Sequence, residues 1–352
     1  MRAKDSQSVI NTALIAMSGG IDSTVAARLM MCDGFDCTGA VMRLFDGGDK
    51  TAADAQSAAN LLGIPFYAFD FTECFSGSVI EPFVNDYFEG RTPNPCVRCN
   101  KHLKFGCLLD KAHELGIDYL ATGHYARVER DASGRYLLKK GVDQAKDQSY
   151  VLYTLTQKQL GRIKFPLGGS TKSRVREIAL SEGFKNINNS ESQDICFIPD
   201  GDYTAFIRNR SEAPLRNVRL VDADGNDLGE GKDISSYTVG QRRGIGLALP
   251  HPAYVLEIRP DDNKVVVGKS ELLYSGAFTA TDINLIPVDR LDSPIRVCVK
   301  IRYSDPGHQA IVHQTGVDTL HIEFDEPQRA ITGGQAAVIY DCDTVIGGGT
   351  II

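Results

Sequence analysis

No stretch of this 352-residue chain is apolar for the length a bilayer requires. Met1 to Ser8 lead into only a few consecutive apolar residues, too few for the core of a secretion signal. The expectation is a cytoplasmic protein with no membrane partner. An excess of positive charge is also missing: Lys and Arg number 38 against 45 Asp and Glu, a net charge of -7. That argues against indiscriminate nucleic-acid binding but allows a local basic groove, because attraction depends on where charges lie. A paired set of cysteines is lacking as well. Nine cysteines without a secretion signal speak against a disulfide framework and for reduced, reactive or metal-binding thiols. There is no internal repeat and no low-complexity tract. What is present is 42% hydrophobic residues with both charge signs mixed throughout, enough chain for roughly two or three domains.

The texture changes about halfway along. From Ala13 to about Gly123, apolar runs of strand length alternate with helical ones, which predicts a doubly wound parallel α/β sheet. The predicted strands are Ala13 to Met17, Thr38 to Leu44, Pro65 to Phe69 and Tyr119 to Thr122. Ala52 to Leu62 and Asn100 to Leu115 read as helices. Beyond Asp200 come short strands and tight turns, with hairpin turns expected at Asp222 to Asn226 and Pro260 to Asn263. From Phe278 onward, Ile295 to Ile301, Ala310 to His313 and Ala336 to Tyr340 suggest a small β-barrel.

The most specific signal is Ser18-Gly19-Gly20-Ile21-Asp22-Ser23, placed where the first strand turns into a helix with Val25, Ala26, Leu29 and Met30 on one face. Gly19 and Gly20 are expected to take positive φ and to leave no Cβ between backbone amides and an anion. The helix N-terminus adds donors and partial positive charge. The Gly-Lys-Ser/Thr ending of the ordinary P-loop is absent, which suits pyrophosphate held as a unit by amides and the Ser18 and Ser23 hydroxyls. Asp22 beside an anion would be repulsive unless Mg2+ lay between them, so a metal-nucleotide ligand is expected. The competing reading is that Asp22 and Ser23 only cap the helix. In a doubly wound sheet the first loop, Met42 and the Thr122-Gly123-His124 turn should share one crevice beyond the carboxyl ends of the strands.

Arg91-Thr92-Pro93-Asn94-Pro95-Cys96-Val97-Arg98-Cys99-Asn100-Lys101 is a proline-stiffened loop feeding a helix. Cys99 is expected near the positive helix end and near Arg98, Lys101 and Lys104, all of which favour thiolate. Cys96, Cys99, His102 and His113 as zinc ligands, or inert thiols, are the alternatives; the zinc spacing is poor. Cys196 lies in Glu191-Ser192-Gln193-Asp194-Ile195-Cys196-Phe197-Ile198-Pro199 and, on its own, reads more readily as core than as catalyst. Cysteines 32, 37, 74, 107, 298 and 342 carry no spacing signal and are assigned to packing.

The hexad, Asn94 to Asn100, Ala121-Thr122-Gly123-His124-Tyr125, Lys146-Asp147-Gln148-Ser149-Tyr150, Asp194-Ile195-Cys196-Phe197 and Thr238 to Gly244 occur in order across almost the whole chain. Together they resemble the tRNA-specific 2-thiouridylase family. The resemblance implies a PP-loop ATP-pyrophosphatase of the adenine nucleotide alpha hydrolase-like class that thiolates the wobble uridine, position 34, in the tRNA anticodon loop. It implies a catalytic domain at 1–200, a central tRNA-contacting domain at 201–274 and a C-terminal β-barrel at 275–352. ATP would be bound by Ala16, Met17, Ser18, Gly19, Gly20, Ile21, Asp22, Ser23, Met42 and Gly123, and Cys99 and Cys196 would be the catalytic pair. Asn94, Pro95 and Cys96 would border the target base, and His124, Lys146, Asp147, Gln148, Arg302, Tyr303 and Gln335 would contact the tRNA. Gly240 to Gly244 reads equally as a basic phosphate-contacting loop and as a plain surface turn.

On that resemblance ATP adenylates the uridine C2 oxygen. Cys196 then carries a persulfide received from a sulfur-carrier protein or cysteine desulfurase. Cys99 attacks it, freeing sulfide or leaving a Cys99–Cys196 disulfide. Some family members have Asp at the position of Cys96, which admits a rival in which Cys96, Cys99 and Cys196 hold an iron-sulfur cluster. Two further alternatives share the hexad: a PP-loop ligase that adenylates for amination, and a nucleotide sensor without catalysis. Neither has a use for the thiols.

Overall fold

The structure, a computed structural model, describes residues 10–45, 49–184, 195–210, 216–247 and 251–352. The Glu191-to-Asp194 part of the Cys196 motif lies outside the described residues. The chain divides into two compact units: Met1–Phe75 with Asn100–Glu191, and Ser76–Cys99 with Ser192–Ile352.

In the first unit the strands are β1 (Thr12–Ala16), β2 (Asp36–Arg43), β3 (Phe66–Asp70), β4 (Tyr119–Ala121), β5 (Ala126–Arg130), β6 (Tyr136–Lys140) and β7 (Ile163–Lys164). β3, β2, β1, β4 and β7 lie in that order, and every neighbour pair is parallel. This is the doubly wound sheet the sequence predicts. Ala13, Leu14 and Ile15 of the central strand are fully buried, as a strand covered on both faces must be. On one side Ile15, Met17 and Val41 pack with Ala27 and Met30 of the helix Ile21–Cys32 and with Ala55, Ala58 and Ala59 of the helix Asp49–Leu62. Val25 and Ala26 of the first helix turn instead to Val175 and Ala179 of the helix Lys172–Ser181. That helix is therefore buried on two faces, more than its single predicted stripe.

Two predictions need correction. Asn100 to Leu115 is not one α-helix: Asn100–Cys107 is π-helical, with one extra residue per turn, and only Leu108–Glu114 is α-helical. The α/β reading also stops short of the antiparallel hairpin β5–β6, whose turn is closed by Asp131 accepting from the amides of Ser133 and Arg135 at 2.9 Å.

The second unit holds β8 (Asn217–Val221), β9 (Asp227–Asp233), β10 (Tyr254–Arg259) and β11 (Lys264–Gly268) in the order β10-β11-β8-β9. The pairs β8–β9 and β10–β11 are antiparallel and are joined at the two predicted turns. It also holds β12 (Tyr274–Leu285), β13 (Ile295–Lys300), β14 (His308–Gly316), β15 (Thr319–Arg329), β16 (Ala336–Asp341) and β17 (Thr344–Ile351). These run β12-β15-β14-β13-β16-β17, and β17 pairs back onto β12, closing the expected barrel. Val299, Ala310, Val312, Leu320, Ile322 and Ile339 fill it with no exposure.

Candidate active site

Ala16 ends β1, and Met17, buried, donates its amide to Ala40 of β2 at 2.7 Å. The chain then turns at Gly19, whose φ is +74°. A Cβ there would stand 2.4 Å from Asp54 Cβ and 2.7 Å from the Asp54 carbonyl carbon, inside the helix Asp49–Leu62. Gly19 is thus fixed both by its φ and by a backbone approach. Gly19→Ala is expected to cost about 2 kcal/mol or more of stability. Urea unfolding measures this, and a loss below about 0.5 kcal/mol would show that the turn tolerates a side chain.

Gly20 differs from expectation. Its φ of -80° and ψ of 163° are extended, and a Cβ would meet only Ser18 Oγ at 3.5 Å. Strain does not require glycine there. It is the N-cap residue of Ile21–Cys32 and, as a glycine, supplies no side-chain cap. A glycine N-cap puts no side-chain oxygen in front of the first-turn amides. The Ser23 hydroxyl accepts from Ser18 N at 3.2 Å and donates to Gly20 O at 3.0 Å, so it braces the loop from within.

Asp22 does not act as a cap. Its carboxylate takes the Lys172 ammonium on both oxygens, at 2.8 and 2.7 Å, and the Tyr125 hydroxyl at 2.8 Å. Lys172 is only 7% exposed, and its own amide donates to Asp143 at 2.8 Å. A lysine from another helix therefore balances the charge of Asp22 at the loop. Sequence reasoning missed Lys172. The loop lacks the P-loop lysine, but this side chain stands at its rim.

Gly123 lies against the same helix start: a Cβ would be 3.0 Å from the Asp22 carbonyl carbon and the Ser23 nitrogen. The Thr122-Gly123-His124 turn thus meets the hexad as predicted. Met42, partly buried, lies on β2 next to β1. His124 is 7% exposed and its Nδ1 lies 2.6 Å from Thr122 Oγ1. Burial, with Lys104 nearby, holds it neutral, well below its usual range. Asp147 accepts from the Gly141 amide at 3.0 Å and the Ser149 hydroxyl at 2.8 Å, and Gln148 from the Tyr125 amide at 3.0 Å. Those side chains organise the turn after β6; Lys146 beside them is half-buried.

The cysteines belong to the second unit. The helix Glu81–Phe88 supports both of their segments. Its buried Asp86 accepts from Arg91 Nε at 2.9 Å and Nη2 at 2.7 Å, and pairs with Arg98 at 3.6 Å. Its Phe83 meets Phe197 edge-on at 5.5 Å between centroids, and its Tyr87 stacks on Tyr203. Phe197 and Ile198 are buried while Cys196 is exposed, so the core reading of that cysteine does not hold. In the other segment Asn94 Oδ1 accepts from the amides of Cys96 and Val97, at 3.1 and 3.4 Å. Pro95–Cys99 then forms a short helix. Cys96, exposed, sits in its first turn. Cys99, half-buried, closes it, so Cys99 is one turn further from the positive end than the sequence suggests.

Arg302 and Tyr303 are exposed, Arg302 donating to Arg329 O at 2.9 Å. Gln335 is used differently. Its Nε2 donates to Thr92 O at 2.8 Å, and Thr92 N donates to Gly333 O at 2.9 Å, pinning the start of the cysteine loop to the barrel. Gln335→Ala is expected to lower stability by about 1 kcal/mol in the absence of any RNA, which a residue acting only on tRNA would not do. Chemical denaturation of the free protein measures this. Among the described residues no three His, Cys, Asp or Glu side chains gather to hold a metal ion. Cys96, Cys99 and Cys196 are therefore not assembled as a cluster site, nor are Cys96, Cys99, His102 and His113 as a zinc site. Among the same residues no helix is long and apolar enough to cross a membrane.

Family models cover most of the chain. One described as a tRNA methyl transferase HUP domain matches residues 11–200, a tRNA methyl transferase PRC-barrel domain matches 205–269, and an aminomethyltransferase beta-barrel domain matches 275–351. Over 350 residues the chain is 46% identical to a protein of Clostridioides difficile named tRNA-specific 2-thiouridylase MnmA, covering 96% of this chain and 97% of that one. A Clostridium tetani protein named tRNA-specific 2-thiouridylase MnmA 2 is also 46% identical over 350 residues, with 96% and 98% covered. One from Caldanaerobacter subterraneus, named tRNA-specific 2-thiouridylase MnmA 1, is 45% identical over 357 residues, with 97% and 98% covered.

Proposed function

The chain belongs to the tRNA-specific 2-thiouridylase family, and from that premise we propose how its residues divide the work of ATP-dependent 2-thiolation of tRNA. The enzyme uses ATP, taken as its Mg2+ complex, to exchange a uridine oxygen for sulfur. The observation that carries the reading is the β1–Gly19–helix junction, with its uncapped N-terminus and its Lys172-anchored Asp22. Uncapped amides suit the pyrophosphate end of ATP, and Ala16, Met42 and Gly123 border the adenosine side of the same crevice.

The target is the wobble uridine at position 34. It lies in a single-stranded loop from which a base can be splayed, with Asn94, Pro95 and Cys96 bordering it. Its C2 oxygen attacks the α-phosphorus, pyrophosphate leaves, and the adenylated oxygen becomes a good leaving group. Cys196, exposed on its Phe197 anchor, receives a sulfane sulfur from a carrier protein or desulfurase. The Cys99 thiolate attacks the Cys196 sulfur, the persulfide S–S bond breaks, and sulfide leaves. Sulfide attacks C2 and AMP departs. The Cys99–Cys196 disulfide is then reduced by a thiol. His124, Lys146, Asp147 and Gln148 shape the first unit's share of the tRNA surface; Arg302, Tyr303 and Gln335 shape the second's.

The test is incubation with ATP, Mg2+, unmodified tRNA and a persulfide donor, followed by nucleoside analysis. 2-Thiouridine at the wobble position, with AMP and pyrophosphate formed in step, is the expected result. ATP cleavage without thiouridine would overturn the reading.

A further inference from the structure

Two cysteines assigned to packing from the sequence, Cys74 and Cys107, place their sulfurs 3.0 Å apart across 33 residues of chain. Both are thiols and both are partly exposed. Cys74 lies in the short helix Thr72–Phe75, after which the chain leaves the first unit. The chain returns at Asn100, and Cys107 ends the π-helical stretch that follows. The pair therefore joins, within the first unit, the departure and the return of the segment Ser76–Cys99, which carries the Asn94-to-Cys99 motif. A disulfide needs its sulfurs about 2.05 Å apart, so closure asks for a shift of about 1 Å, within reach of small side-chain adjustments. Burial, and then the hydrogen bond with Cys74, push the Cys107 thiol up to about 11. A thiol held so protonated is a poor attacker of an external disulfide, so exchange begins at Cys74 and reaches Cys107 only once a mixed disulfide stands beside it.

We propose that Cys74 and Cys107 form a second, non-catalytic dithiol site, oxidised by low-molecular-weight disulfides to an intramolecular bond that cross-links the two ends of the Ser76–Cys99 excursion. Cys74, as thiolate, attacks one sulfur of the small disulfide. That S–S bond breaks, and the first small thiolate leaves and takes the proton Cys74 gave up. The Cys107 sulfur then attacks the Cys74 sulfur, and its proton goes to the second small thiolate. The protein loses two electrons and two protons, and the disulfide is reduced to two thiols. Excess thiol reverses the sequence. The site does not depend on the sulfur route proposed above.

The full-length Cys99→Ser, Cys196→Ser variant, whose catalytic pair cannot exchange, is equilibrated in glutathione redox buffers, quenched with an alkylating agent and mapped by mass spectrometry. The expected product is one peptide pair linked between Cys74 and Cys107, lost on reduction and absent when Cys74→Ser is added. A thermal midpoint a few degrees higher in the oxidised form should accompany it. The same mapping on the unsubstituted chain serves if the variants do not fold. Recovery of both cysteines alkylated, or as separate glutathione adducts, under conditions that modify exposed Cys32 and Cys342 would overturn the proposal.

Discussion

Lys172→Met is expected to lose about 2 kcal/mol of stability and at least about 100-fold in thiolation rate. The lysine is nearly buried and holds both oxygens of Asp22. Methionine keeps much of the volume but leaves the carboxylate unpaired. Removing one member of a buried ion pair costs about 3–5 kcal/mol; the lower figure applies because Asp22 keeps 31% side-chain exposure. The rate effect has a separate cause. An uncompensated carboxylate within a few ångströms of a phosphate repels it by about 4 kcal/mol at an effective dielectric constant of about 20, and each 1.36 kcal/mol is about tenfold. Urea unfolding and steady-state kinetics in ATP measure the two losses. Adding Asp22→Asn to Lys172→Met should restore most of the stability. If the rate is restored too, Lys172 serves only to neutralise Asp22; if not, it also meets the nucleotide. A Lys172→Met protein of unchanged stability and rate would refute the role.

Cys99→Ser and Cys196→Ser should each reduce thiolation by about 1,000-fold or more, because a hydroxyl can neither carry a persulfide nor attack one under these conditions. Neither change should weaken ATP binding. Cys196→Ser should alter stability by no more than about 0.5 kcal/mol, since the side chain is exposed and the anchoring falls to Phe197 and Ile198. Nucleoside analysis gives the first result, nucleotide titration the second and urea unfolding the third. The double variant should be no worse than either single one, as for two groups acting in one step. Thiouridine formed at the ordinary rate by either variant would remove that cysteine from the sulfur route.

The helix Glu81–Phe88 holds both cysteine segments within one unit though 97 positions separate Cys99 from Cys196. Its buried Asp86 gathers Arg91 and Arg98 on either side of the Asn94–Cys96 corner, while Phe83 and Tyr87 seat the chain after Cys196. No motif marks it. Its pattern reads as an ordinary amphipathic helix, and only the contacts of its side chains reveal what it supports.

Much of the architecture was written locally. The β1–loop–helix junction, four of the five sheet strands to within a few residues, both hairpin turns of the central region and three of the six barrel strands follow from periodicity and turn chemistry, which act over a few residues. The family motifs carried the chemistry further than periodicity could. Errors came where a neighbour distant in sequence decides the conformation or the partner. Gly20 is extended because it is the N-cap of a helix, whereas Gly19 alone meets the helix Asp49–Leu62. Asp22 read as a possible helix cap because its ion-pair partner, Lys172, lies 150 residues away. The Asp147, Gln148 and Gln335 side chains, expected at the tRNA, also hold backbone, and no local pattern distinguishes the two uses.

By itself, then, the sequence determined the strand–Gly19–helix turn, the order of sheet, central strands and barrel, and the motifs in which Cys99 and Cys196 stand. Each is set by short-range sterics, hydrophobic period or residue type. Tertiary structure alone decided which charge neutralises Asp22, which helix holds both cysteine segments, and that Cys74 meets Cys107. Those pairings are fixed by packing elements far apart along the chain, where burial makes an unpaired charge or polar group too costly to leave alone.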